Sequence, residues 1–71
     1  MVRGVILVRA PKTLLSSKIK GIKGVKYVFD VWGRFDAIAL LDVEDLSALK
    51  ETVLKIQAID GVRRTETLIG V

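Results

Sequence analysis

The feature that most constrains this chain is a twelve-residue pattern that occurs twice. Residues 22–33 read IKGVKYVFDVWG and residues 59–70 read IDGVRRTETLIG, an offset of 37 residues. Ile22 matches Ile59, Gly24 matches Gly61, Val25 matches Val62 and Gly33 matches Gly70, while Lys26 and Arg63 keep the same charge. A repeat of this kind implies one supersecondary unit used twice, each copy burying its apolar side against the other. Both copies carry the same signals in the same order: the end of a helical pattern, a glycine able to adopt the left-handed turn that stops a helix, then a strand.

The residues ahead of each copy complete the unit. Before the second copy, Leu46, Leu49, Val53 and Ile56 recur at spacings of three and four, which places an apolar stripe on one helix face. Asp45 is the expected N-cap, and Glu51 and Lys55 are spaced to pair on the exposed side. Before the first copy, Pro11 suits a first helical turn, and Leu14, Leu15 and Ile19 supply the side to be buried. Each helix follows an apolar strand, VILV at 5–8 and AIALL at 37–41. The order is strand, helix, strand, strand, helix, strand, with the middle strands joined by a tight turn around Gly33, Arg34 and Phe35. This predicts an α+β, ferredoxin-like βαββαβ fold. Two right-handed crossovers interleave into a four-stranded antiparallel sheet, with strands 1 and 3 central and both helices on one face.

Size and patterning then bear on assembly. Seventy-one residues make one domain, 1–71, which on its own is marginally stable. Small folds are reinforced by disulfides, metals or oligomerisation, and with no cysteine and no histidine the first two lose their usual ligands. The central strands point to the third. A strand with one wet face alternates apolar and polar residues, but Val5 to Val8 and Ala37 to Leu41 are apolar on both faces. The face away from the helices is therefore an apolar patch that a soluble monomer rarely exposes. A second copy of the same sheet is its simplest cover, so a homodimer is the expected minimum unit.

Composition removes several function classes. Without His or Cys the usual general base and thiol nucleophile are missing. No Asn is present for the Arg–Asn chemistry of acylphosphatase-like enzymes, and no CxxC pair for metal transfer. Strand 3 lacks the aromatic residues that RNA-recognition domains use. No catalytic residue, metal ligand or cofactor is expected. Charge is uneven, +7 over residues 1–34 and −3 over residues 35–71. A basic half can face nucleic acid, but the charges are singly spaced and base-stacking aromatics are few. Solvated faces or a basic-to-acidic contact between copies explain it as well. The apolar runs are too short for a signal peptide or a membrane span, so a soluble cytoplasmic protein is expected.

Several residues are candidates for binding or anchoring. Asp36 follows the turn and opens a very apolar strand; its carboxylate either holds a ligand's ammonium or accepts backbone N–H groups and fixes the turn. Thr65 and Thr67, two apart on strand 4, share one face and are either ligand-binding hydroxyls or ordinary β-branched strand residues. Arg63 and Arg64 read as solvated. Tyr27 and Trp32 read as core or interface anchors.

Taken together, these features resemble the effector-binding domain of the Lrp/AsnC transcription regulators. The match lies in Gly33 with Asp36 at the second turn, the apolar strand Ala37 to Leu41, the acid-capped helix Asp45 to Ile56, Gly61 with Val62, and the Thr-x-Thr strand of Thr65 and Thr67. The resemblance implies a dimeric α/β-barrel assembly, with dimers joined into rings, often an octamer of four dimers. It implies a free amino acid as effector, bound where dimers meet, near Gly33, Arg34, Phe35, Asp36, Thr65 and Thr67. The helix-turn-helix domain of full-length members has no counterpart in these residues. The chain thus resembles a stand-alone version, expected to co-assemble with full-length relatives rather than bind specific DNA directly. A purely structural oligomerisation module and a dimeric α/β-barrel enzyme are the alternatives, the latter disfavoured by the aliphatic strands and the missing histidine.

Overall fold

The structure, a computed structural model, describes residues 1–11 and 15–70. It contains β1 (Val2–Arg9), α1 (Leu15–Ile19), β2 (Val25–Asp30), β3 (Ala37–Val43), α2 (Leu46–Gln57) and β4 (Arg64–Ile69). The four strands form one sheet in the order β2-β3-β1-β4, antiparallel at every pairing. This is the expected ferredoxin-like arrangement, with β1 and β3 central.

The two-unit pattern of the sequence is reproduced bond for bond. After α1, the Ile22 N–H donates to the Ile19 carbonyl at 3.0 Å and the Val25 N–H to the Ile22 carbonyl at 3.1 Å. After α2, the Ile59 N–H donates to the Ile56 carbonyl and the Val62 N–H to the Ile59 carbonyl, both at 3.1 Å. Gly24 and Gly61 take φ of 99° and 97°. Each helix therefore ends one short turn before its glycine, and the glycine redirects the chain into the next strand.

The core lies between the helices and one sheet face. Ile6 and Val8 of β1 and Ala37, Ala39, Leu41 and Val43 of β3 are buried there, with Ile19 of α1 and Leu49 and Ile56 of α2 above them. The expected burial of Leu14 and of the Leu15 side chain lies outside the described residues, and Pro11 sits in an exposed bend ahead of them. The stripe on α2 is rotated from its expected position. Leu49, Thr52 and Ile56 are buried, whereas Leu46 is 47% exposed. At about 100° per residue, Leu46 and Val53 lie on one side of Leu49 and Thr52 on the other. The sheet is met by the Thr52 side. Thr52 is tolerated there because its hydroxyl donates to the Ala48 carbonyl at 3.0 Å, with the Lys23 carbonyl at 3.2 Å.

Asp45 caps α2 as expected, accepting the Ala48 N–H at 2.8 Å. Asp45→Ala is expected to destabilise the domain by about 1 kcal/mol. Urea unfolding at fixed protein concentration measures this loss.

The other sheet face has no described helix over it. Along β1 and β3 the residues between the core positions, Val5, Leu7, Ile38 and Leu40, are only half-buried. At the flanks, Tyr27, Phe29 and Leu68 are 60%, 50% and 53% exposed. The sequence-based expectation of an open apolar face holds. Tyr27 and Trp32 are not core residues, since Trp32 is fully exposed and Tyr27 lies on this open face in register with Leu40.

Candidate functional site

The expected tight turn between β2 and β3 is a six-residue loop, residues 31–36. It is closed by the Val31 N–H donating to the Asp36 carbonyl at 2.9 Å. Gly33, with φ of 129° and no described atom within 4 Å of a hypothetical Cβ, forms the open crest of the loop. The crest is tied to the sheet by Arg9, whose Nη1 donates to the carbonyls of Arg34 and Gly33.

Asp36 anchors the base of the loop. Its N–H donates to the Val8 carbonyl at 2.8 Å, and its Oδ2 accepts the Ala10 N–H at 2.9 Å. The carboxylate thus serves the backbone through one oxygen, which is the turn-fixing role weighed from the sequence. A ligand's ammonium would have to address Oδ1.

Gly33, Arg34 and Phe35 line an open hollow of about 620 Å³ together with Arg9, Arg64 and Glu66. Arg9 and Arg64 are direct cross-strand partners, and like charges so placed repel; the loop carbonyls take up Arg9. Three arginines and one glutamate line the hollow, which gives it a net positive charge favourable to an anionic group. Sequence reasoning did not single out Arg9 or Glu66 and read Arg64 as merely solvated. The available signal was the pairing of the β1 end with the β4 start, which requires the register.

Thr65 and Thr67 do share a face, but it is the helix-facing side of β4, in register with Val8 and Ile6. Thr65 accepts a hydrogen bond from Gln57 Nε2 of α2 at 2.9 Å. Glu66 and Arg64 alternate to the opposite side. Within one chain, then, Gly33, Arg34 and Phe35 come together with Asp36 adjoining, whereas Thr65 and Thr67 point away from that hollow. Ala37 and Thr65 both pair with Val8, so the two groups are separated by two strand spacings, about 10 Å.

Among the described residues no cluster of three or more His, Cys, Asp or Glu side chains is placed to hold a metal ion. No described helix is long and apolar enough to cross a membrane.

A family model described as the Lrp/AsnC ligand binding domain matches residues 10–70. The chain belongs to this family. Among curated proteins it is similar to the HTH-type transcriptional regulator LysM of Sulfurisphaera tokodaii, 26% identical over 72 residues, which cover 96% of this chain and 51% of the regulator. The chain thus spans about half the length of that relative. Among solved structures, TTHA0845 from Thermus thermophilus superposes with a TM-score of 0.92 at 31% identity, covering 100% of this chain and 94% of the other. The transcriptional regulator NMB0573 of Neisseria meningitidis, solved as a complex with L-Met, has a TM-score of 0.80 at 17% identity. That alignment covers 99% of this chain and 49% of the regulator, and at this identity it shows the fold alone.

Proposed function

We propose that this Lrp/AsnC ligand-binding domain binds a free amino acid at the β2–β3 loop and couples binding to assembly. The observation that carries the reading is the arginine-rich hollow lined by Gly33, Arg34 and Phe35, with Asp36 next along the loop and only its Oδ2 committed to the Ala10 N–H. A zwitterion needs both charges answered. Asp36 Oδ1 serves the ammonium through a charge-assisted bond, about twice as strong as a neutral one. Arg34, Arg64 and the exposed backbone beside Gly33 serve the carboxylate. Thr65 and Thr67 face away from this hollow, so they contribute to such a site from another copy of the chain. A site completed by a second copy makes ligand binding and assembly thermodynamically linked.

The assembly unit in this reading is a homodimer that packs the open apolar sheet face of one copy on that of another, giving the dimeric α/β barrel. Four such dimers make the octamer, and co-assembly with full-length regulators of the family is the route to transcription control. The relative is a transcription regulator, and the proposal assigns this domain no catalysis, no cofactor and a cytoplasmic location.

A thermal-shift screen against the twenty amino acids tests the reading. A ligand at about 100 times its dissociation constant stabilises its target by about 2.7 kcal/mol, so one or a few amino acids are expected to raise the midpoint. Calorimetry on Asp36→Asn with the best ligand then isolates the carboxylate. Weakened binding by the folded variant is the expected result. Unchanged affinity removes Asp36 from the site, and a flat screen removes amino-acid binding and favours a structural oligomerisation module.

A further inference from the structure

The charges around the β2–β3 loop are unbalanced in a way that bears on which ligand fits there. Arg9, Arg34, Arg64 and Glu66 line the hollow, and Asp36 follows Phe35 along the loop. Three positive and two negative side chains leave the surroundings with a net charge of +1. Arg9 is held by the loop, its Nη1 donating to the carbonyls of Gly33 and Arg34. Arg34 and Arg64 have no acid within ion-pair distance among the described residues.

These two cations come from different elements. Arg34 stands on the loop between β2 and β3, whereas Arg64 opens β4 as the cross-strand partner of Arg9. An α-carboxylate engaged by one of them leaves the other without an anion. The two acids bear on the ligand as well, because Glu66 and Asp36 repel an ion that is negative throughout. The pattern therefore calls for one cationic group and two anionic groups on a single small molecule.

We infer that the ligand is an amino acid with an acidic side chain, glutamate or aspartate. The inference rests on the amino-acid site proposed above and names its ligand class. The α-carboxylate and the side-chain carboxylate each take one of Arg34 and Arg64, through charge-assisted bonds. The ammonium goes to Asp36 Oδ1, since Oδ2 is committed to the Ala10 N–H. Such a ligand carries one net negative charge and cancels that of its surroundings. A basic amino acid instead adds a cation to a hollow already rich in guanidinium, and a repulsive element of this kind excludes a competitor. In the single chain Arg34, Arg64 and Glu66 are exposed, where ion pairs are weak. A second copy closing over the site removes water from them and strengthens each pair.

Calorimetry on the full chain with glutamate, glutamine, aspartate and asparagine tests this, because each acid differs from its amide in charge and hardly in shape. At low salt one acid is expected to bind about tenfold or more tightly than its amide, and the ratio is expected to fall as salt rises. Arg64→Gln and Arg34→Gln are each expected to weaken the acid more than the amide and bring the ratio toward one. An acid that binds no tighter than its amide, or a neutral or basic amino acid that binds tighter than both acids, overturns the acidic class while leaving the amino-acid site standing. A ratio unchanged in both arginine variants overturns it too, as does inorganic phosphate that competes as well as the acid, which would show attraction to bare charge. A chain that binds no amino acid overturns the site and this inference with it.

Discussion

Replacing Gly24 by alanine is expected to destabilise the domain by about 3 kcal/mol or more, lowering the unfolding midpoint by about 15 °C or more. Two costs combine. At φ of 99° an L side chain is strained before any contact is considered. The added Cβ would then lie 2.5 Å from Thr52 Oγ1 and 2.9 Å from Val43 Cγ1. Thr52 is buried and its hydroxyl is committed to the Ala48 and Lys23 carbonyls. Moving it aside breaks those bonds and leaves a buried hydroxyl unsatisfied. Gly61 provides the control, with nearly the same φ, 97°, and no described atom within 4 Å of its Cβ position. Gly61→Ala is therefore expected to cost only the backbone strain, about 1–2 kcal/mol. Urea unfolding of both variants at one protein concentration measures the difference, and equal losses would show that strain, not packing against Thr52, dominates at Gly24.

Leu7→Glu is expected to abolish self-association while leaving the fold intact. Leu7 and Ile38 are register partners at the middle of the open sheet face, and Leu7 points away from the core that Ile6 and Val8 form under the helices. In the separated chain the new carboxylate stays in contact with water. In the proposed dimer it is buried without a partner near the centre of the contact, at a cost of about 3 kcal/mol or more, a hundredfold or greater loss of affinity. Light scattering is expected to show a 7.8 kDa species for the variant and a multiple of it for the wild type, with matching far-UV circular dichroism. Association equal to wild type would place the contact elsewhere on the molecule. Because dimerisation stabilises by mass action, the wild-type midpoint is expected to rise with protein concentration and the variant's to stay constant.

The loop site was only half legible in the sequence. Asp36 stood out because an acid directly before an apolar strand must have a polar reason to be there. Its bond to the Ala10 N–H joins residues 26 apart, and no local pattern encodes that. The Thr65 and Thr67 pair was read correctly as sharing a face, since strand periodicity is local. Which face it is depends on the pairing of β4 with β1. That pairing sends both threonines toward the helix side and leaves Arg64 and Glu66 on the side of the Gly33 loop.

Element order, the twofold use of one unit, the N-cap at Asp45 and the double-sided apolar character of β1 and β3 were all readable along the chain. All of these follow from spacing along the chain, because helix and strand periods and caps are local properties. The packing of the elements settled what distance along the chain cannot carry. It rotated the buried arc of α2 from Leu46 toward Thr52, because the helix settles where its side chains fill the groove over the sheet rather than where apolarity is greatest. It made two glycines with the same repeat position unequal, one pressed against Thr52 and Val43 and the other facing open space. And it set Arg9, Arg34 and Arg64 around one hollow, since only strand pairing brings residues from three parts of the chain to a common surface.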